Sequence, residues 1–344
     1  MNRPKRTVCV VPTYRARDTI CAVVEKALGF ADMVIVVEDA CPDRSADLVE
    51  QRFGAMESLL IVRRPTNGGV GAATKTGIEH ALQLGATTIV KIDADDQMDA
   101  SHIPEMEAAF LEHPDLAMVK GNRFTDASVL ELMPKARFFG NAVLSILAKF
   151  ASGYWSMLDP TNGFIAFNGR ILPTLNWKSF ADSYFFELSV LCSLGLRREK
   201  IGEIGMTAIY GSAPSSLSIR RVIVTFPPLL FASFVRRIAT QFFLLDFNVG
   251  SLCLLLGFFL TLFGGIAGIY EWYVSVHSGI ARPTGVIMMV ALTVMSGCQL
   301  LFASLLYDVL LGSTVLRVVP SGASPHGSEE AHREPGRLRD ISRL

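Results

Sequence analysis

The chain has 344 residues, and its 32 basic and 32 acidic side chains give a formal net charge of zero. Its mean hydropathy of +0.38 is too high for an ordinary soluble domain, and its length allows one large or two modest domains. The apolar residues must therefore be concentrated in particular segments. The six cysteines are scattered and lack CxxC spacing, which favours reduced thiols in a reducing compartment.

Residues 1–215 alternate short β-rich runs with amphipathic helical patterns, which is typical of an α/β sheet. The β-rich runs are almost continuously apolar, as expected for strands that are covered on both faces. Because ligands of such folds bind outside the carboxyl ends of the strands, we expect functional residues directly after each strand. We predict strands at 7–11, 33–37, 59–62, 87–92 and 116–119, and helices at 19–28, 71–84 and 103–111.

The apolar run 87–92 ends in a cluster of four carboxylates within seven residues. Asp93 and Asp95 are two residues apart, so on an extended chain their side chains point the same way. Like charges this close raise each other's pKa unless a cation lies between them, and hard oxygen ligands suit Mg²⁺ or Mn²⁺ that shares substrate phosphates. The pair therefore predicts a metal–diphosphate site; for an isolated motif, a solvated acidic turn that caps a helix is the alternative.

Two uncharged apolar segments, residues 247–270 and 283–307, follow the α/β region. Each exceeds the roughly 20 residues that a helix needs to cross a bilayer core. The short connection between them begins with Trp272 and Tyr273, residue types enriched at membrane interfaces. We therefore predict a two-helix transmembrane hairpin over 247–310; two very apolar buried helices are the alternative.

Basic residues near the spans predict the orientation of the hairpin, because cytoplasmic loops carry the excess of Lys and Arg. Arg236 and Arg237 precede the first span and Arg317 and Arg333 follow the second, whereas the connecting loop holds only Arg282. The sequence thus predicts a multi-pass protein of the cell (inner) membrane. The α/β domain and both termini are expected in the cytoplasm.

The segments that flank the hairpin differ from it in composition. Residues 216–246 include an apolar run that a Pro-Pro pair interrupts and that is too short to span a bilayer. We interpret them as a juxtamembrane amphipathic, interfacial segment whose arginines, Arg220, Arg221, Arg236 and Arg237, face lipid phosphates; ordinary packing under the α/β domain is the alternative. Residues 311–344 are interpreted as a disordered cytoplasmic tail, because most of them are Gly, Ser, Pro, Glu and Arg or other polar residues.

Five short motifs follow the predicted strands in a fixed order. They are Val-Pro-Thr-Tyr at 11–14, Glu-Asp at 38–39, Asn-Gly-Gly at 67–69, Asp-Ala-Asp at 93–95 and Gly-Asn-Arg at 121–123. In this order they resemble the motifs of the family-two glycosyltransferases, and the resemblance covers residues 7–310. Within that family, the Asp-Pro-Thr-Asn-Gly-Phe motif at 159–164 and the hairpin are similar to the polyprenyl-phosphate, dolichyl-phosphate mannosyltransferase-like group.

The resemblance implies a GT-A type, Rossmann-like nucleotide-sugar domain, an inverting mechanism and a divalent cofactor, Mg²⁺ or Mn²⁺. The implied metal ligands are Asp93, Asp95 and Gln97. The implied nucleotide-sugar contacts are Pro12, Tyr14, Glu38, Asp39, Asn67 and Asp93. The implied contacts of the acceptor phosphate are Arg123, Arg137 and Asn141, and the catalytic candidates are Asp95, Asp159 and Glu187. The implied partners are a UDP- or GDP-linked hexose, a polyprenyl phosphate lipid and the membrane, without nucleic acid; a homo-oligomer is left open.

Two positions depart from the family pattern. Glu38 stands where an Asp is usual, which leaves its role open, and Arg15-Ala16 replaces the usual Asn-Glu, which removes an expected acidic contact. Both departures favour an altered donor preference. Asp159 is interpreted as a base, as a partner that orients an Arg, or as a turn cap. Glu187 is interpreted either as a general base or as an Arg-pairing or surface residue.

These observations predict transfer of one sugar from a nucleotide sugar to a polyprenyl phosphate at the cytoplasmic membrane face, for cell-surface glycan assembly. The first alternative is a membrane glycosyltransferase that extends a lipid-linked glycan or a polysaccharide at a hydroxyl. The second is a non-catalytic scaffold that has kept the fold. An ionised phosphate acceptor needs no strong base, whereas a hydroxyl acceptor does, so the role of Glu187 separates the first two hypotheses.

Overall fold

One eight-stranded sheet organises the computed structural model, which describes residues 6–125, 135–206 and 219–318. Its strands are β1 (Thr7–Thr13), β2 (Met33–Asp39), β3 (Leu59–Arg64), β4 (Thr88–Lys91), β5 (Leu116–Asn122), β6 (Ile165–Asn168), β7 (Lys200–Gly205) and β8 (Val315–Arg317). The α-helices are α1 (Ile20–Leu28), α2 (Ser45–Phe53), α3 (Val70–Gln83), α4 (Ile103–Glu112), α5 (Lys135–Ser152), α6 (Phe186–Leu196), α7 (Ile219–Ile238), α8 (Val249–Ser278) and α9 (Thr284–Leu310). The strands and helices predicted for the α/β region are confirmed, with small shifts at their ends.

The strand order is β3-β2-β1-β4-β6-β5-β7-β8. Neighbouring strands are parallel except around β6, which runs antiparallel to both β4 and β5. Because successive side chains of a strand face opposite sides, Val8 and Val10 enter one apolar core while Cys9 and Val11 enter the other. The α/β fold class is confirmed, and the carboxyl ends of β1, β2, β4 and β5 lie along one edge of the sheet.

Strands β6 and β7 were missing from the sequence-based prediction. β6 has only four residues, and β7 contains Gly202, Glu203 and Gly205, residue types that are depleted in strands. Both strands form because the sheet supplies their partners: β6 inserts between β4 and β5, and β7 pairs with β5. Tertiary pairing therefore overrides a weak local preference here.

Strand β8 shows that the chain returns to the sheet after the apolar helices. Val315 pairs with Ile201 and Arg317 pairs with Glu203 in parallel register, and the Ser313 N–H donates to the Gly153 carbonyl over 3.1 Å. The prediction of a disordered tail that starts at 311 is therefore wrong for residues 315–317. The part of that prediction from residue 319 onward lies outside the described residues.

Helix α7 is continuous through Pro227 and Pro228, the pair that interrupts the apolar run of this segment. It lies against α5 and α6. One face is buried, as at Leu230, whereas the opposite face is exposed, as at Pro228 and Ala232. The segment therefore packs against the α/β domain on one side, and the contact of its exposed side with the membrane stays a prediction.

Arg237, near the end of α7, is 1% exposed and does not face outward, contrary to the prediction that it contacts lipid phosphates. Its guanidinium forms a bidentate ion pair with the Asp308 carboxylate of α9, with N–O distances of 2.7 and 2.8 Å. It also donates to the Gln241 side chain and to the Phe150 carbonyl, while the Trp155 indole N–H donates to Asp308 over 3.1 Å. This buried cluster joins the α/β domain to the second apolar helix.

Helices α8 and α9 are long and apolar enough to cross a membrane, with 30 and 27 residues and mean hydropathies of 2.3 and 2.1 over their most apolar windows. Most of their side chains are exposed, unlike those of a core helix in a soluble protein. Glycines allow the two helices to approach closely: a Cβ on Gly257 would lie 2.8 Å from the Leu301 nitrogen. The helices form the antiparallel hairpin that the sequence predicts.

Candidate active site

The acidic motif follows β4, at the edge where the carboxyl ends of β1, β2 and β5 also lie. Asp93 is half-buried and Asp95 is exposed, and the Gln97 N–H donates to the Asp95 carboxylate over 3.1 Å. Asp96 has a positive φ of 59° and pairs with Lys26 of α1 over 2.7 Å. A tight turn therefore directs the Asp96 carboxylate to α1, away from Asp93 and Asp95.

Lys91, the last residue of β4, is 1% exposed and lies beneath this motif. Its ammonium is 2.6 Å from Asp93 Oδ1 and 2.7 Å from Glu187 Oε1. Burial alone would lower the pKa of Lys91, but the two carboxylates outweigh it and raise that pKa above its usual value. Lys91 is not among the residues that the motifs predict for the site, although a lysine inside an otherwise apolar strand is a visible signal.

The electrostatics of the acidic pair agree with a cation site. Desolvation of its carboxyl group, and then the negative charge of Asp93, raise the pKa of Asp95; the second contribution is the one expected of two close carboxylates. Gly163 leaves space beside the Asp93 carboxylate, because a Cβ at position 163 would lie only 2.6 Å from Asp93 Oδ2.

These oxygen donors fit Mg²⁺ or Mn²⁺. In the part of the chain that the structure describes, no group of three or more His, Cys, Asp or Glu side chains could hold a metal. A divalent ion at Asp93 and Asp95 would therefore complete its coordination with Gln97, water or substrate phosphates. Mg²⁺ commonly binds in this manner, through one or two carboxylates.

Arg123 and Asp159 form a second charged pair, directly after β5. Asp159 is fully buried and accepts from Arg123 Nε over 2.8 Å and from Nη2 over 3.0 Å. The backbone N–H of Arg123 also donates to Asp159, over 3.2 Å. Of the three interpretations of Asp159, the geometry matches the one in which it orients an arginine.

Glu203 of β7 supports the loop that carries Asp159. Its carboxylate accepts from the N–H groups of Leu158 and Asp159 over 3.0 and 3.3 Å, and burial raises its pKa. The other carboxylate oxygen is buried and has no hydrogen-bond partner among the described residues. Glu203 also lies opposite Arg317 of β8, so the strand that follows the apolar helices is adjacent to this loop.

Lys120 of β5 lies between the two charged groups. It is fully buried and donates to the Asn162 carbonyl. Burial lowers its pKa to about 8, with Glu187 and Asp159 opposing the shift. Since Asn162 in turn donates to the Gly121 carbonyl over 2.8 Å, the 159–163 loop is fixed against β5. Lys120 is not among the site residues that the motifs predict.

The Asp39 carboxylate lies under the Asn-Gly-Gly loop that precedes α3. It accepts from the N–H groups of Gly68 and Gly69, the latter over 2.7 Å, and pairs with Arg64. Gly69 has a φ of +95°, and a Cβ on it would lie 2.7 Å from the Asp182 carbonyl oxygen. Asp39 therefore fixes a backbone that only glycine adopts readily.

The other residues implied for the nucleotide are divided between the two faces of the sheet. Pro12 is buried at the end of β1, whereas Tyr14 and Asn67 are exposed at the same edge. The Arg15 guanidinium lies 5.4 Å from the centre of the Tyr14 ring. Glu38 points the other way, accepting from the Ala46 N–H over 3.2 Å at the first turn of α2, so the structure does not bring it to the Asn-Gly-Gly loop.

The remaining acceptor residues lie on α5. Asn141 is half-buried in the second turn of that helix. Arg137 is in the first turn, and its side chain lies outside the described part of the chain. Glu187 is on α6 and 13% exposed, held by Lys91.

Residues 8–174 match the family model described as Glycosyl transferase family 2. The UDP-N-acetylglucosamine–dolichyl-phosphate N-acetylglucosaminyltransferase of Methanococcus voltae is 25% identical over 58% of this chain and 84% of its own length. The polyprenol monophosphomannose synthase of Mycolicibacterium smegmatis is 23% identical over 54% of this chain and 71% of its own. The undecaprenyl-phosphate mannosyltransferase of Micrococcus luteus is 25% identical over 59% and 84%. The chain therefore carries a glycosyltransferase family 2 domain over residues 8–174, and two apolar helices follow the α/β region.

Proposed function

We propose that the protein transfers one sugar, with inversion, from a nucleotide sugar to a polyprenyl phosphate at the cytoplasmic face of the cell membrane, for cell-surface glycan assembly. The observation that carries the proposal is the Arg123 guanidinium, held by the fully buried Asp159 at the same sheet edge as Asp93 and Asp95. A preset guanidinium suits bidentate binding of a phosphate. Of the similar proteins named above, two are transferases for dolichyl phosphate and undecaprenyl phosphate and the third is a synthase of polyprenol monophosphomannose, which supports a polyprenyl phosphate acceptor here.

On the donor side, Asp93, Asp95 and Gln97 would hold the divalent ion. When bound, that ion neutralises the charge that develops on the leaving diphosphate. Tyr14 offers an exposed aromatic face to a base. The N–H groups that Asp39 orders belong to the loop at the start of α3, where the helix dipole favours a negative group.

On the acceptor side, the chemistry requires positioning rather than proton removal. A phosphate monoester is already ionised near pH 7, since its second pKa is about 6. Its oxygen attacks the anomeric carbon as the bond to the nucleoside diphosphate breaks, and no proton must be removed. Glu187 is paired with Lys91, which supports a role other than general base.

Substitution at Arg123 and Glu187 separates a phosphate acceptor from a hydroxyl acceptor. Loss of a desolvated, charge-assisted contact in Arg123→Ala should cost roughly 2–4 kcal/mol, or about 30- to 1000-fold in kcat/KM for the acceptor. Glu187→Gln should be milder. Arg52→Ala, which removes an exposed pair with Glu25, is the control and should stay near wild type. If Glu187→Gln abolishes turnover while Arg123→Ala is near wild type, the enzyme extends a glycan at a hydroxyl instead.

The metal requirement has a matched control one residue away. Asp95→Asn removes a proposed ligand charge without changing shape and should lower turnover by at least about 100-fold. Asp96→Asn removes a charge that pairs with Lys26 at the surface, and Asn tolerates its left-handed backbone, so turnover should change little. Full wild-type activity in excess chelator, or equal activity of the two variants, contradicts the metal assignment.

The membrane orientation is testable by cysteine labelling of intact cells. In a variant without native cysteines, a probe at Ser278, the last residue of α8, should be labelled from outside. A probe at Ser324, beyond the second span, should be protected until the membrane is opened. The reverse pattern would place the active site on the outer face.

A further inference from the structure

Lys91 makes a contact that connects the acidic motif to a distant helix. Its ammonium lies between Asp93, two residues after it, and Glu187, 96 residues after it, at 2.6 and 2.7 Å. Its side chain is 1% exposed. Two consecutive ion pairs therefore connect α6 to the acidic motif after β4.

The surroundings of Lys91 make an exclusively structural role costly. Its strand neighbours Ile89, Val90 and Ile92 are fully buried apolar residues. Moving charges out of water is expensive, and replacing a buried ion pair by well-packed apolar residues is often neutral or stabilising. An apolar pair at 91 and 187 would thus serve the fold at least as well as Lys91 and Glu187 do.

The geometry at Asp93 shows what the ammonium does there. Lys91 contacts Oδ1 of Asp93, whereas Oδ2 faces Gly163, where a Cβ would come within 2.6 Å of it. The same Cβ would lie 3.0 Å from the Lys91 ammonium. One oxygen of Asp93 is thereby fixed, and the carboxylate plane is fixed with it.

We propose that Lys91 is a positioning residue for the transfer reaction: held by Glu187, it binds one oxygen of Asp93 so that the other is preset for the metal–diphosphate group of the donor. This inference rests on the proposed function. Glu187 then acts as the counter-charge of Lys91 and not as a base. Partners that orient a metal ligand in this way typically contribute about 10- to 100-fold in metal affinity or activity.

A charge-balanced pair of substitutions distinguishes positioning from charge neutralisation. Lys91→Met alone leaves Glu187 without its partner, so it should unfold at lower temperature. The double variant K91M/E187M removes one charge of each sign, so its net charge equals that of wild type and its melting temperature should recover. The control is K178M/E79M, which neutralises an exposed pair at 3.4 Å.

The readouts are Mn²⁺ binding to the full chain in lipid nanodiscs, measured by electron paramagnetic resonance, together with donor turnover and the melting temperature. We expect K91M/E187M to melt near wild type while its Kd for Mn²⁺ rises about tenfold or more and its turnover falls at least about tenfold. A native melting temperature with Mn²⁺ affinity and turnover within about twofold of wild type overturns the inference.

Two further comparisons keep the test decisive. If K91M/E187M does not fold, E187Q and E187M replace it. Gln keeps an oxygen for Lys91 and Met does not, so Mn²⁺ should bind several-fold more weakly to E187M, and equal affinities overturn the inference. If wild type binds no Mn²⁺ and works in excess chelator, the metal in the proposed function is refuted. Turnover of K91M/E187M at native melting temperature then still decides whether Lys91 positions Asp93.

Discussion

Replacing Asp308 by Asn removes the charge that holds the fully buried Arg237. In wild type, Asp308 accepts two guanidinium hydrogen bonds of 2.7 and 2.8 Å and a third, of 3.1 Å, from Trp155. A buried cation that loses its partner costs about 3–5 kcal/mol. Using about 2–4 °C per kcal/mol, typical of chains of 150–250 residues, we expect Asp308→Asn to melt about 6–20 °C below wild type.

The assay is thermal unfolding of the full chain in lipid nanodiscs, followed by tryptophan fluorescence, to which Trp155 contributes beside Asp308. The double variant R237M/D308L removes both charges and should regain most of the loss, because apolar replacement of a buried pair is close to neutral. As the control, Arg282→Gln breaks the partly exposed pair with Glu271 and should cost less than about 1 kcal/mol. An Asp308→Asn protein that melts within about 2 °C of wild type, or a double variant as unstable as the single one, refutes the reasoning.

Three further predictions concern the domain itself. Gly163→Ala places a Cβ 2.6 Å from Asp93 Oδ2 and 3.0 Å from the Lys91 ammonium, so turnover should fall at least about tenfold. Circular dichroism should show that the sheet is intact. Unchanged kinetics would contradict the conclusion that a Cβ at this position crowds Asp93. A chain that ends at residue 318 should keep wild-type activity. A chain that ends at residue 311 keeps both apolar helices but lacks β8, so its melting temperature should be lower than that of wild type. Equal melting temperatures would contradict this prediction. Burial lowers the pKa of Lys120 to about 8, below the usual value of about 10.4, so between these pH values the unfolded chain binds more protons than the folded chain and stability rises with pH. The difference in melting temperature between wild type and Lys120→Met should therefore increase in favour of wild type from pH 7.5 to 10. A constant or falling difference would contradict this pH dependence.

The sequence predicts those parts of the fold whose signals are local. The near-continuous apolar runs around Val10, Val36 and Val90 form strands because both faces of each are covered, and that coverage is what such runs indicate. The sites at strand ends follow from the same logic, since parallel neighbours bring Asp39 and Asp93 to one edge. The apolar helices are predicted by length and composition alone.

What the sequence did not predict depends on partners that are far apart along the chain. Lys91 and Lys120 interrupt apolar strands, and their partners Glu187 and Asn162 lie 96 and 42 residues away. Arg237 looks like a membrane-surface residue until Asp308, 71 residues later, becomes its partner. Buried polar groups need such partners, but a single sequence does not indicate which residue supplies them.

The most direct measurement of the proposed transfer uses purified full-length protein, a panel of UDP- and GDP-linked sugars, a short polyprenyl phosphate and Mg²⁺ or Mn²⁺. The lipid products are analysed by mass spectrometry. The proposal predicts that one donor yields a polyprenyl phosphate heavier by a single sugar residue, and that Asp95→Asn yields none. If no donor yields a glycosylated polyprenyl phosphate, while a lipid-linked glycan supplied in a parallel reaction gains a sugar at a hydroxyl, the proposal is contradicted.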